Sequence, residues 1–438
     1  MIKKVKNFLY INDEFFVFPI IEKIKTKAEY RRLFSNFMSL SVLQAANYLF
    51  PLITFPYLVR VLGVEKFGLI SFAQAFIQYF IIITDYGFNL SATREISIHR
   101  ENKEKVNEIF SSVMIIKSGL FLISFIIMSG IVFGFEKFRK EWVLYYLTFG
   151  MVLGQVLFPV WFFQGMEQMK WITYLNIIAK GIFTVAVFVF INSEKDYYAV
   201  PILNSIGIIM IGVVSLFILG KRFETIFVMP NRNQILYHMK EGWYIFTSTI
   251  AITFYTVSNT FILGLITNNV IVGYYSISEK IVKVFYSLLT PIQQTVYPYF
   301  SKLIIDSKNI ASYRLKKLLL IMAFIGMILS GSIMIFSKHI IYILAGTVNK
   351  ETVTVLMILS INILAIGINN VLGVQGLIAF GYYKYFRNIV FIAAVFHIII
   401  LLGLIRTFGI IGAALSPVIT EVLICLMEYY IIKKEKFI

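Results

Sequence analysis

"TYLNIIAKGIFTVAVFVFI", running from Thr173 to Ile191, is apolar enough to cross a bilayer, yet it carries a lysine, Lys180, near its centre. As a helix rising ~1.5 Å per residue it would measure about 28 Å, close to the ~30 Å of a hydrocarbon core. The rest of the chain has the same character: 59% of its 438 residues are hydrophobic, 14% are charged, and the mean hydropathy is +0.81. These values lie well outside the range of soluble globular proteins and identify an integral membrane protein. Its apolar runs are continuous rather than alternating, which selects helices over the strands of a membrane barrel.

Twelve such runs are expected to span the membrane: 35–60, 67–91, 107–134, 142–165, 171–192, 197–219, 242–267, 271–300, 318–345, 352–379, 388–405 and 409–431. Ser337-Lys338-His339 is expected to bend or break the ninth. The fold class is all-α, a polytopic membrane protein of 12 transmembrane helices. The polar stretch around "MPNRNQ" divides it into a tail (1–34), an N-lobe (35–220), a cytoplasmic linker (221–240) and a C-lobe (241–438).

A formal charge of +17 in a soluble chain would suggest nucleic acid as a partner. Here the 40 Lys and Arg sort by loop instead, with 27 on the side of both termini, 9 on the opposite side and 4 inside spans. That bias is the positive-inside signature, so both termini are expected in the cytoplasm and no nucleic acid is expected as a partner. The first 34 residues lack a signal-peptide pattern, because Asp13, Glu14 and Pro19 interrupt the apolar run and no small-residue cleavage site follows. They read as a cytoplasmic or interfacial tail held by basic residues near anionic lipid headgroups.

The two halves carry a weak but ordered repeat. Gly68 and Ser71 align with Gly273 and Ser276, and Gln164-Gly165 aligns with Gln375-Gly376, at matching points of each six-span half. Parallel repeats enclosing a site between lobes suit alternating access.

Polar stripes at helical spacing mark faces turned away from lipid. In the fifth span Thr173, Asn176, Lys180 and Thr184 form one, and in the first Gln44, Asn47, Pro51 and Thr54 do. The second carries Ser71, Gln74, Gln78 and Asp85, and the eighth Ser276, Lys280, Lys283, Ser287 and Gln294. The threonines at 249, 253, 256 and 260 fit ordinary helix-to-helix bonding. The lysines are harder to explain that way, because a mid-membrane lysine costs roughly 2.5–3.5 kcal/mol on insertion scales. Lys117 and Lys180 have no acid three or four residues away, whereas Lys283 has Glu279 at i−4. Asp85, Glu279 and Glu421 are the internal acids that could answer the lysines or relay a coupling ion, and Asp85 could equally pair with Arg94. A net cationic interior fits an anionic ligand, and lysine, as a mobile point-charge donor, suits a phosphate.

Enzyme chemistry has no constellation to support it. The four histidines lack metal-ligand spacing, no P-loop is present, and the lone Cys425 gives no disulfide framework. No cofactor is expected beyond proton or sodium coupling.

"PYLVRVLGVEKFGLISFAQAF" (Pro56–Phe76), "DYGFNLSATREIS" (Asp85–Ser97) and "WFFQGMEQMKWI" (Trp161–Ile172) carry a resemblance. They resemble segments of the polysaccharide-transporter family within the multidrug/oligosaccharidyl-lipid/polysaccharide superfamily, in particular Wzx-type flippases of O-antigen and capsule repeat units. The resemblance runs from about residue 35 to the end. It implies two six-helix lobes around a central cationic cavity. It also implies transfer of undecaprenyl-diphosphate-linked oligosaccharide between the leaflets of the bacterial cytoplasmic (inner) membrane. Membrane lipids, and a polymerase and chain-length proteins of the same pathway, are the implied partners. Gln44, Asn47, Asn176, Lys117, Lys180, Lys280 and Lys283 become candidate substrate-binding residues, and Asp85, Glu279, Glu421 and Arg94 candidate coupling or gating residues. A multidrug exporter of the same superfamily and a peptidoglycan-precursor flippase are the rival readings. The first would favour an acidic cavity, and the second commonly has fourteen spans.

Overall fold

The computed structural model describes residues 28–435 except 291, 294, 295, 297–299, 301, 302, 305 and 306, with side chains from residue 35 onward, 37 excepted. The first 27 residues of the expected tail, and Gln294 of the eighth-span stripe, lie outside the described residues. Among the described residues the regular structure is helical, with no strand.

Helix α1 (Ala28–Asp85) reverses direction at Gly63, whose φ of 72° suits a residue without a Cβ. The rings of Phe55 and Phe67, twelve residues apart, stand 5.4 Å from each other, where a straight helix would hold them ~18 Å apart. Thus α1 is a hairpin holding the first two expected spans. Tyr86 and Gly87, both at positive φ, then break the chain before α2 (Phe88–His99). Next come α3 (Lys103–Gly134), capped by the Asn102 side chain, α4 (Trp142–Leu157) and, after Pro159, the short α5 (Val160–Gly165). Helices α6 (Met169–Phe190) and α7 (Ala199–Arg222) complete the N-lobe.

Helix α8 (Arg232–Ile266) opens with a capping box between Asn231 and Gln234 and belongs to both lobes. Its first turns pack on the N-lobe: Phe246 stacks on Tyr86 at 4.9 Å, Gly242 lies against Tyr86, and His238 meets Glu108 at 3.2 Å. Its last turns bond the C-lobe through Asn259 to Ser416 (3.0 Å) and Thr260 to Glu279 (3.2 Å). The connecting segment 223–231 is tied to α3, with Ile226 N–H donating to Asn107 and Val228 N–H to Ser111. Lys103 pairs with Glu224 there and holds that carboxyl below its ordinary range.

The C-lobe continues with α9 (Asn269–Ser287), α10 (Lys308–Ala345), α11 (Lys350–Asn369) and α12 (Tyr383–Lys434). Helix α10 runs unbroken through Ser337-Lys338-His339, correcting the expected break: the Ser337 hydroxyl donates to Met334 O, leaving the helical ladder intact. Helix α11 widens into a π-helix over Asn370–Ile378, and α12 reverses at Gly409, where Gly412 backs onto the Leu404 carbonyl.

By length and composition nine helices among the described residues can cross a membrane, against the twelve spans expected. Two of the nine are the reversing α1 and α12, each holding two expected spans. The expected span without a counterpart in that set is the eighth, which is the more polar α9.

The repeat partners Gly68 and Gly273 meet face to face. A Cβ on Gly68 would strike the backbone of Gly273 and Asn269, and one on Gly273 would strike Val64 O. The two sequence-matched glycines therefore share one close crossing of α1 and α9. Gln164 and Gln375, the other matched pair, lie in different local structure, one in α5 after a proline break and the other in the π-helix. Gly273→Val is expected to destabilise the protein by roughly 1–3 kcal/mol through overpacking. Gly331→Val, which meets open space, should change little. Thermal unfolding of both variants in detergent checks this.

Candidate functional site

At the Gly63 end the lobes meet in dry contact, with Phe261 of α8 stacked on Phe72 (5.6 Å) and Phe76 (5.7 Å) of α1. Beside this contact they part around a cavity of about 410 Å³ that follows α1 from Leu62, next to the reversal, to Asn47. Its polar wall comprises Asn47, Tyr48 and Thr54 of the first arm of α1, Gln74 of the second, Asn204 of α7, and Lys280 and Lys283 of α9. Phe55, Phe67, Phe183 and several aliphatic side chains supply the rest. Among the described lining residues there is no carboxylate, and the charged ones are both lysines.

The two α9 lysines differ. Lys283 pairs with Glu279 at 2.9 Å, the i,i+4 arrangement its spacing suggested, and its side chain is 64% exposed. Lys280 instead stands over the faces of Phe67 (4.5 Å) and Phe55 (5.9 Å), held by ring quadrupoles. Such a contact steadies a cation without cancelling its charge. Glu279 also accepts from the Thr260 hydroxyl, so the threonine stripe of α8 does reach a charged group at its last member, while Thr253 and Thr256 bond their own helix.

Lys180 hydrogen-bonds the side-chain oxygen of Asn47, a cavity-wall residue, across the α6–α1 contact. Two others of its stripe are structural, Thr173 donating to Ser39 O (2.8 Å) and Asn176 to Ile172 O (2.8 Å), while Thr184 is half-buried with its hydroxyl oxygen enclosed. Gln44, half-buried one turn before Asn47 and Tyr48, is not part of the cavity wall.

Lys117 is not on the cavity wall either. It lies inside the N-lobe, 3% exposed, with its ammonium 4.0 Å from Asp85 Oδ1 and donating to Gln155 O at 3.1 Å. Asp85 also accepts from Asn89 at 2.8 Å. The alternative pair of Asp85 with Arg94 does not form. The helix break at Tyr86-Gly87 turns α2 so that Arg94 faces α8, where Glu241 stands 3.9 Å away.

Glu421, 7% exposed, accepts the Asn369 side-chain amide deep in the C-lobe. One residue of this neighbourhood had only a faint signal in the sequence. Glu428, spaced seven from Glu421 and thus on the same helix face, is 1% exposed and abuts Gly373 in the π-helix, with its Oε2 unpartnered. Among the described residues no three His, Cys, Asp or Glu side chains converge as metal ligands.

The "WFFQGMEQ" motif is a packing device. Trp161, Phe162 and Phe163 are fully buried, Gly165 lies against Ile96, and the Thr93 hydroxyl donates to Gln164 Oε1 (3.3 Å). It locks α5 onto α2, which carries the "ATRE" part of the second motif.

Known proteins share both the sequence and the architecture. The chain is 30% identical over 403 residues to a protein of Escherichia coli (strain K12) named "Putative O-antigen transporter", covering 92% of this chain and 97% of the relative. Among solved structures, the lipid II flippase MurJ in an inward closed conformation superposes with a TM-score of 0.71 at 14% identity, over 92% of this chain and 89% of that one. An inward-facing multidrug resistance MATE family transporter of the MOP superfamily gives 0.65 at 13% identity, over 92% and 99%. At such identities these two likenesses speak for the fold alone. The family described as polysaccharide biosynthesis protein matches residues 33–304, more than half of the sequence, and the chain belongs to that family.

Proposed function

We propose that the protein is a flippase carrying undecaprenyl-diphosphate-linked oligosaccharide repeat units from the inner to the outer leaflet of the bacterial cytoplasmic membrane, for assembly of O-antigen or a related surface polysaccharide. The observation that carries this reading is the cavity between the lobes, walled by amides, hydroxyls and two lysines, with no carboxylate among the described lining residues. Family membership and the relative named as an O-antigen transporter support it.

The physical problem is to move a sugar-diphosphate head through a layer that rejects it while the polyprenyl tail stays in hydrocarbon. Lys280 offers the diphosphate a cation that no ion pair among the described residues cancels, and Lys180, behind the wall, bonds the lining residue Asn47. The amides of Asn47, Gln74 and Asn204 and the Tyr48 phenol offer donors and acceptors to sugar hydroxyls. Lys117 drops out as a direct ligand, because Asp85 answers its charge within the N-lobe. An organic-cation exporter would meet repulsion in this cavity, so the multidrug reading is disfavoured by charge.

In this reading the chain is a carrier rather than an enzyme. Both termini and the Asp85 end face the cytoplasm, as the basic-residue bias suggests, and the Gly63 end faces outward. A proton or sodium gradient acting through Asp85, Glu279 or Glu421 drives the cycle, and the polymerase and chain-length proteins of the pathway take up the product. The test is leaflet-specific detection of the lipid-linked oligosaccharide in cells depleted of the protein. Accumulation in the inner leaflet is expected, and normal outer-leaflet delivery would overturn the proposal. Coupling is tested separately in proteoliposomes, where transport indifferent to both gradients would remove it.

A further inference from the structure

Two cations of the N-lobe end on backbone carbonyls of C-lobe helices, both at the Gly63 end. Lys137, in the Glu136–Arg139 turn between α3 and α4, donates to Leu265 O (3.2 Å) and Thr267 O (2.8 Å) at the C-terminus of α8. Arg60, just before the Gly63 reversal, donates through Nη2 to Ile343 O in the last turn of α10 and lies along Gly346, the left-handed residue that ends that helix. The last carbonyls of a helix have no partner within it and carry the negative end of its dipole. Each cation therefore completes a helix end that belongs to the opposite lobe.

We propose that Lys137 and Arg60 form a two-point latch that holds the Gly63 end of the transporter closed, and that the lobes part there when the latch lets go. The two clasps grip two different C-lobe helices, and the Gly68–Gly273 crossing is a further closed contact at the same end. The aromatic packing of Phe72, Phe76 and Phe261 supplies contact without direction, whereas the two cations fix the register of one lobe on the other. Both side chains are exposed, so water can take over their bonds as the lobes separate. A gate that opens in every cycle needs a contact of that strength rather than a buried ion pair, whose rupture would cost far more. The acceptors are main-chain oxygens, so no C-lobe side-chain change removes them, and the test has to come from the N-lobe side.

The experiment measures the spin-label distance between Glu65→Cys and Thr347→Cys, two exposed positions on opposite lobes at this end, on a Cys425→Ala background in nanodiscs. The parent should show one short distance. Lys137→Met and Arg60→Met should each raise the open-to-closed ratio about five-fold, and the pair together more, the size expected for cations at helix C-termini. Lys137→Arg with Arg60→Lys should keep the short distance. Gly273→Leu, which cannot fit the crossing, serves as the reference for an opened end. An unchanged distribution in the methionine variants, while Gly273→Leu is displaced, would overturn the latch. An equal displacement by the charge-conserving pair would overturn it too. Either single methionine variant decides the matter if the double variant does not fold.

Discussion

Replacing Lys280 by alanine is expected to lower transport of the lipid-linked oligosaccharide at least ten-fold, while leaving the protein folded and in the membrane. Among the charged groups of the cavity, Lys283 is already answered by Glu279, so Lys280 carries the larger part of the available positive potential. Charge-assisted hydrogen bonds to phosphate oxygens are about twice as strong as neutral ones, and a group bound in a cavity of low dielectric loses more than one bound in water. Lys280→Arg should retain part of the activity, since it keeps the charge but changes reach and shape. Lys280→Glu should abolish it, because a carboxylate would face the diphosphate. Lys283→Ala should have a smaller effect, as it removes a cation already paired. Leaflet-resolved transport in proteoliposomes, with expression measured in parallel, separates these outcomes. Equal activity in Lys280→Ala and the parent would sink the assignment of the cavity.

Breaking the Asp85–Lys117 pair should act on stability first. Lys117 is 3% exposed and Asp85 is 23% exposed at the side chain, so removing either leaves the other short of a partner. Rupture of a buried ion pair typically costs roughly 3–5 kcal/mol, whereas replacing both members by neutral groups can be close to neutral. Asp85→Asn is expected to be the more damaging single change, because it strands the more deeply buried charge. Lys117→Met should cost less, since Asp85 keeps Asn89 and some water. The double variant Asp85→Asn/Lys117→Met should recover much of the loss, a coupling that thermal unfolding in detergent measures directly. If the double variant is stable yet cannot transport, the pair has a part in the cycle beyond holding the N-lobe together. Additive losses from the two single changes would instead show that the two side chains do not act as a pair.

The lysines show how far the sequence could go. Depth and spacing marked Lys117, Lys180, Lys280 and Lys283 as four anomalies of one kind, because the position of a charge within an apolar run is read from local sequence. What each lysine faces depends on contacts made between residues far apart in the chain. Asp85 is 32 residues from Lys117, Asn47 is 133 from Lys180, and the rings over Lys280 come from the first helical hairpin. Only the assembled bundle sorts them into a buried structural pair, a wall contact and a cavity cation. Lys283 was the exception: its partner is one helical turn away, and spacing alone identified it.

Reversals and hidden polar groups divide in the same way. The expected gap between the first two spans became a turn centred on one glycine, since hydropathy reports where a span ends but not how sharply the chain turns. The break expected at Ser337-Lys338-His339 did not occur, because a serine can bond the preceding turn and a helix can carry a lysine outward. Glu428 had no more than its seven-residue spacing from Glu421 to mark it, and its burial follows from packing against Gly373 in a π-helical segment.

The sequence by itself determined that this is a helical membrane protein, where its apolar runs lie, and that several of those runs carry lysines. These follow from hydrophobicity, charge and period, which act locally along the chain. The tertiary structure decided that Gly68 and Gly273 meet at one crossing, that α8 joins both lobes, and that Lys280 faces the cavity while Lys117 does not. Those outcomes rest on which helix faces meet, and in a bilayer, where lipid is as apolar as leucine, close packing and polar pairing settle that choice rather than hydrophobicity.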